Sequence, residues 1–261
     1  MVRYARAVRE DIPALKELWL CCFEEKPEAA ELFFERTMSF TRAYKATTGE
    51  RIVAAVYCVG CSLDGKPAHY LCGVATHPDF RGRGVMRGLM RFALADAEER
   101  GDAYSVLFPA NEGLYRFYGL FGYKNRCGVG QIELTRDEPG EGEASDRVFP
   151  DTDELQRRCL QNNFLFWNKD FIRFAADYYA VYGVRTLFSD GALAIVDVEN
   201  GTAKVIYAVY RDIRSLKNLL LQLKADRYIL IRRGSSLPYG MVKPLGGNPL
   251  PDNVFIGITL N

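Results

Sequence analysis

The sequence predicts an α/β fold (α+β in its segregation of helices), a mixed sheet flanked by helices that is followed by a second, degenerate copy. Three observations carry this. The β-prone run Tyr70-Leu-Cys-Gly-Val-Ala-Thr-His77 passes through a glycine-rich turn into Met86, Leu89, Met90, Ala93, Leu94 and Ala97, whose three- and four-residue spacing predicts an amphipathic helix stopped by Gly101. Strand-like and helical runs succeed one another in a similar order in both halves. Between them, Arg136-Asp-Glu-Pro-Gly-Glu-Gly-Glu-Ala-Ser-Asp146 is acidic and rich in Gly, Pro and Ser, as a surface linker is. Domains are therefore expected at 1–135 and 148–261, with a linker over 136–147.

Each element has its own signal. In the first half, strands are expected at Val2–Val8, Ala43–Thr48, Arg51–Ser62, Lys66–Thr76, Tyr104–Phe108 and Gly130–Leu134. Helices are expected at Asp11–Glu24, around Ala29–Phe40, at Gly84–Arg100 and near Glu112–Leu120. In the second half, Asp153–Gln161, Lys169–Tyr179 and Ile213–Leu223 read as helices; Phe171, Phe174, Ala175 and Tyr178 form one apolar face. Gly183–Phe188, Leu193–Val198, Ala203–Tyr210, Tyr228–Arg232 and Val254–Leu260 read as strands.

The 261 residues leave room for one large core or two ordinary ones. A formal net charge of +1 argues against a nucleic-acid binder dominated by phosphate contacts. Met1-Val-Arg-Tyr-Ala-Arg lacks the apolar core of a secretory signal, and no apolar run is long enough to span a membrane, so a cytoplasmic protein is expected. Cys58 and Cys61 form a Cys-x-x-Cys, but in a strand residues three apart point to opposite faces, and no second pair completes a zinc site. Reduced thiols and no metal are expected. No Gly-x-Ser-x-Gly accompanies the two histidines, His69 and His77.

The turn itself, Arg81-Gly-Arg-Gly-Val-Met-Arg-Gly88, is the most informative segment. A glycine-rich turn feeding a helix N-terminus offers free backbone N–H groups and the positive end of the macrodipole, which suits phosphate. Arg81, Arg83 and Arg87 crowd an end where each cation costs about 0.3–1 kcal/mol, a penalty an anionic ligand would reverse. The P-loop pattern fails for want of its lysine, and the dinucleotide fingerprint fails because Arg87 stands where its third glycine belongs. Downstream, Asn111 precedes Tyr118 by seven residues, and Tyr118-Gly-Leu-Phe-Gly-Tyr123 follows.

These segments resemble the GCN5-related N-acetyltransferases (GNAT). Arg81-Gly-Arg-Gly84-Val-Met86 is similar to that family's Arg/Gln-x-x-Gly-x-Gly/Ala loop, with methionine in place of the last small residue, and Val74-Ala-Thr-His-Pro78 to the strand before it. Tyr118-Gly-Leu-Phe-Gly-Tyr123 matches its Tyr-x-x-Phe/Leu-Gly-Phe/Tyr motif. The tandem layout resembles the enhanced intracellular survival acetyltransferases, whose third, sterol-carrier-like domain has no counterpart before Asn261; the terminal carboxylate that serves those enzymes as base is therefore not carried over.

The resemblance implies acetyl-CoA as cosubstrate and direct transfer to a primary amine on a small molecule or peptide. Backbone groups of Val74, Ala75 and Thr76 would pair with the pantetheine arm, and Arg81, Gly82, Arg83, Gly84, Val85, Met86 and Arg87 would hold the pyrophosphate. Asn111 would touch the arm, and Tyr118 would protonate the leaving thiolate. Glu24, Glu25, Glu28, Glu112 or a water chain are left as candidate bases. A noncatalytic acyl-CoA-binding or assembly module is the alternative, neither a nucleic-acid nor a membrane partner is expected, and oligomeric state stays open.

Overall fold

The computed structural model describes residues 1–134, 149–159 and 162–260; the linker expected over 136–147 lies outside them. In chain order the elements begin with β1 (Val2–Arg6), α1 (Ile12–Cys22), α2 (Pro27–Arg36), β2 (Thr41–Thr48) and β3 (Arg51–Leu63). Next come β4 (Lys66–Thr76), α3 (Val85–Glu99), β5 (Tyr104–Leu107), α4 (Glu112–Gly119) and β6 (Gly128–Leu134). They continue with α5 (Thr152–Cys159), β7 (Leu165–Trp167), α6 (Lys169–Ala180), β8 (Arg185–Ser189), β9 (Ala192–Glu199) and β10 (Thr202–Tyr210). The last are α7 (Ile213–Leu220), β11 (Arg227–Arg233), β12 (Leu237–Pro238) and β13 (Met241–Pro244).

These elements form two compact units, Met1–Lys124 with Gly240–Pro251, and Asn125–Tyr239 with Asp252–Asn261. The first carries strands in the order β1-β2-β3-β4-β5-β13. Neighbours are antiparallel except β4 and β5, which run parallel on either side of the crossover helix α3. The α3 stripe of Val85, Leu89, Met90, Ala93, Leu94 and Ala97 packs on Ala54, Val56, Cys58 and Leu71, which share one face of the sheet. Tyr57, alternate to Val56 and Cys58, meets Trp19 of α1 and Phe33 and Phe34 of α2 at ring separations of 5.3, 5.4 and 5.7 Å.

The second unit is a six-stranded sheet, β12-β6-β11-β10-β9-β8. Its succession β8-β9-β10-α7-β11 repeats β2-β3-β4-α3-β5, including the single parallel pair, here β10 with β11. Leu216, Leu219 and Leu220 of α7 pack on Ala194, Val196 and Val205 as the α3 stripe does in the first unit.

Two expectations are corrected. The strand ending at Leu134 pairs with β11 in the second sheet, not the first, and β13 takes the place beside β5, so the units divide after Lys124 instead of Thr135. Met241-Val-Lys-Pro244, flanked by Gly240 and Gly246-Gly247, is too short and too interrupted to read as a strand; Pro244 sits at its end, where a missing N–H is tolerated. Residues 254–260 form isolated bridges at Val254 and Phe255, not a strand. The Ile256 carbonyl instead accepts from the Trp167 indole at 2.9 Å and from the Ile258 N–H at 3.1 Å, so no ladder continues.

A buried polar chain ties β4 to the end of α3 in the first unit. His69 is 1% exposed, and its Nδ1 lies 2.7 Å from the Asp102 carboxylate, which also accepts from Arg100 at 2.6 Å. Arg100 donates further to Asp96 and to the Tyr44 hydroxyl of β2. Burial alone would lower the imidazole pKa, but the neighbouring Cys58 and Asp102 outweigh it and raise it to about 9. A folded-state pKa above the unfolded value of about 6.5 makes this contribution complete below that pH and lost as pH climbs through about 9. Denaturant titrations across that window should show stability declining, and His69→Gln should remove the slope while costing about 1–3 kcal/mol at neutral pH.

Candidate active site

The parallel pairing of β4 with β5 covers only Ala68↔Tyr104, His69↔Ser105 and Tyr70↔Val106. Beyond Tyr70, no strand among the described residues pairs with β4 on that side, and the two strands part. On its other side β4 stays with β3 but slips: Tyr57 faces Cys72 and Ala55 faces Ala75, so Gly73 and Val74 both stand against Val56. That is a β-bulge, which bends a strand and re-aims its edge. Gly73 has φ +55°, and a Cβ there would lie 2.3 Å from the Trp19 ring and 2.6 Å from that of Tyr57. Only glycine allows the bulge to settle on these aromatic faces.

Past Thr76 the chain makes a short 3-10 turn, Pro78–Phe80, and enters Arg81–Gly84, all four residues exposed. Gly82 and Gly84 take φ +74° and +75°, and no atom lies within 4 Å of the Cβ position of either, so the loop opens to a clear space. Gly84 is the N-cap of α3 and supplies no side-chain hydrogen bond to it. Val85 and Met86 turn towards the core, so the methionine that departs from the family loop does not cover the helix end. Around this end Arg83 lies 5.4 Å and Arg51 5.8 Å from the centre of the Phe80 ring. Arg81 donates from Nε to the Thr76 carbonyl at 3.0 Å and so ties the loop to the end of β4. Arg87 and Arg91 line a recess of about 180 Å³ with Leu120 and Phe121.

Tyr118 on α4 is buried in the same cluster as Leu71 and Leu107, the first residues past the last β4–β5 pair. Its hydroxyl pKa is raised well above the ordinary phenol value, by burial first and then by the nearby Cys72. Asn111 caps α4, its side-chain oxygen accepting the Leu114 N–H at 3.1 Å. That oxygen is committed to the helix, a role the sequence reading did not include. Of the candidate bases, Glu24, Glu28 and Glu112 are exposed, whereas Glu25 is half-buried and accepts the Trp19 indole N–H.

Val74–Thr76, the loop at 81–87 and Tyr118 thus surround one fork in the sheet. Sequence reasoning missed Gly73, Cys72 and Tyr57. The one available signal was a glycine inside an otherwise β-prone run, the mark of a bulge or a close approach.

The second unit keeps the outline and loses the opening. The parallel pairing of β10 with β11 ends at Val205↔Leu230, again followed by a register shift, between Val205 and Tyr207. The Tyr207 ring is buried there, its hydroxyl donating to Gln156 at 3.2 Å, and Gln156 also holds the Trp167 backbone. The helix end is closed too. Asp212 caps α7 with its own carboxylate, accepting from the Ser215 N–H at 2.8 Å, so an anion already sits where the first unit presents glycine and arginine.

The first unit is thus a mixed sheet forked at a bulge, beside a crossover helix led by glycine. Residues 3–125 match the family model of the acetyltransferase (GNAT) domain, and this segment is a GNAT acetyltransferase domain. Solved structures similar to the chain include a conserved protein of unknown function from Enterococcus faecalis V583, at 17% identity and TM-score 0.73, covering 94% of this chain and 72% of that one. A GCN5-related N-acetyltransferase from Kribbella flavida aligns at 17% identity and TM-score 0.68, over 94% and 71% of the two chains. Eis1 from Mycobacterium abscessus aligns at 14% identity and TM-score 0.68, over 94% and 73%. At these identities the likeness shows a shared fold, here extending through both units. No curated protein matches the sequence. No helix among the described residues is long and apolar enough to cross a membrane.

The bulge yields a stability prediction. Gly73→Ala should destabilise the first unit by about 2–4 kcal/mol, because a left-handed alanine and its clash with two aromatic rings add together. Thermal unfolding measures this, and an unchanged midpoint would mean that the bulge does not need glycine.

Proposed function

We propose that the first unit binds acetyl-CoA and transfers its acetyl group directly to a primary amine. The observation that carries this reading is the fork: a strand edge from Leu71 to Thr76 with no strand on its β5 side among the described residues, leading into an arginine-flanked helix end without a side-chain cap. An extended pantetheine arm can add to such an edge as a further strand would, using backbone groups of Val74, Ala75 and Thr76. The pyrophosphate then meets the N–H groups of residues 82–87, with the macrodipole and the Arg83 and Arg87 guanidinium groups favouring its charge. Arg81 serves by holding the loop against Thr76. The recess at Arg87, Arg91 and Phe121 offers cationic groups and a ring face to the nucleotide end. Asn111 contributes mainly by fixing the start of α4.

With donor and acceptor held together, attack by the amine becomes effectively intramolecular. The amine nitrogen bonds to the thioester carbon, the C–S bond breaks, and the thiolate takes a proton from the Tyr118 phenol. Burial keeps that phenol protonated, so the proton is in place when the thiolate forms beside it. The amine's own proton leaves to Glu25 or to water.

Two experiments test the reading. Calorimetric titration should give one acetyl-CoA site per chain, since Asp212 closes the equivalent helix end, and Arg81→Ala/Arg83→Ala should weaken binding by about 10-fold or more. No binding to the wild type would defeat the proposal. Tyr118→Phe should lower turnover by about 10²-fold or more while leaving acetyl-CoA affinity unchanged; binding without any turnover in the wild type would favour an acyl-CoA-binding module instead.

A further inference from the structure

On the α1 side of the fork, one buried polar atom is left over. The Tyr57 side chain is 1% exposed, its ring is enclosed by Trp19, Phe33 and Phe34, and its hydroxyl has no hydrogen-bond partner among the described residues. A buried hydroxyl without a partner is costly, and in a native fold water or a ligand supplies the missing bond.

Its position says which ligand. Tyr57 pairs across the ladder with Cys72, two residues past the last β4–β5 pair, and its ring lies directly under Gly73 at the bulge. Burial first, and then the Cys72 and Cys22 thiols, hold its ionisation well above the ordinary phenol range, and the Cys22 thiol of α1 donates to the Thr76 carbonyl at 3.4 Å. The atom therefore lies beneath residues 72–76 of β4, on the α1 side. Tyr118 lies in the other core cluster, with Leu71, and feels the same Cys72. The two phenols approach the gap from opposite faces of the sheet. The Glu25 carboxylate, held by the Trp19 indole, bears on Cys72 from the Tyr57 side. A single hydroxyl and a single carboxylate against aromatic walls suit one ammonium or amine nitrogen, not a polyanion.

We propose that the Tyr57 hydroxyl accepts a hydrogen bond from the attacking amine and aligns its lone pair on the acetyl carbonyl, with Glu25 supplying the counter-charge. Tyr57 is then the acceptor-positioning residue, opposite the proton donor Tyr118. The assignment rests on the acetyl-transfer reading above.

The test is Tyr57→Phe, which keeps the ring and removes only the oxygen. Release of free CoA thiol is followed with spermidine, an aminoglycoside and a lysine-bearing peptide as amines. For the best of these, the variant should raise the amine KM or lower kcat so that kcat/KM for the amine falls about 10–100-fold. Acetyl-CoA affinity should not change, and the thermal midpoint should be no lower than that of the wild type. An unchanged kcat/KM in an active protein would overturn this inference alone. A fallen midpoint would overturn it as well, by showing that the hydroxyl has an internal partner. If the wild type binds no acetyl-CoA or acetylates none of the three amines, the underlying reading fails and the inference falls with it.

Discussion

β4 keeps its pairing with β3 to Thr76 but loses β5 after Tyr70, and the bulge at Gly73 is the constraint behind the difference. Two residues opposing one must bend the strand, and the bend is possible because glycine lets the backbone rest on the Trp19 and Tyr57 rings. From it follow the unpaired edge, the direction in which the chain leaves for the Arg81–Gly84 loop, and the place of Tyr118 beside Leu71. The aromatic cluster of α1, α2 and β3 is thus more than apolar ballast. It is the surface against which the fork is set.

The two units share an outline and differ at the helix end. Both have a parallel pair that ends early at a register shift, and both have a crossover helix beginning beyond it. In the first, the helix begins with a left-handed glycine, has no side-chain cap and is surrounded by guanidinium groups. In the second, Asp212 satisfies the helix itself, and Tyr207 with Gln156 occupies the space behind the shift. Capping by a carboxylate stabilises a helix by roughly 0.5–2 kcal/mol, which is gained only where no ligand needs the same N–H groups. The two helix ends therefore differ in whether their N–H groups are already taken.

Much of this was legible in the sequence, and the reasons are local. The α3 stripe, its glycine stop and the Arg-Gly-Arg-Gly turn follow rules that act within a few residues, and most element ends lie within a few residues of expectation. Strand partnership is not local. That β6 would leave for the second sheet while Met241–Pro244 came to stand beside β5 depends on packing between distant segments, which no run of residues announces. Val254–Leu260 has the composition of a strand, yet its carbonyls are taken by an indole and a tight turn. In the site, motif spacing marked Asn111 and Tyr118, but not that Asn111 would commit its oxygen to a cap. Tyr57 was invisible for a different reason: alternation predicts which face a side chain takes, not whether its hydroxyl finds a partner there.

The proposed transfer requires acetyl-CoA to lie along the β4 edge and over the start of α3. Amide hydrogen exchange with and without acetyl-CoA tests this most directly. Protection should rise at residues 74–76 and 82–87 and stay unchanged at residues 212–216, where the helix is already capped. Protection absent from 82–87, or equal at the two helix ends, would contradict it.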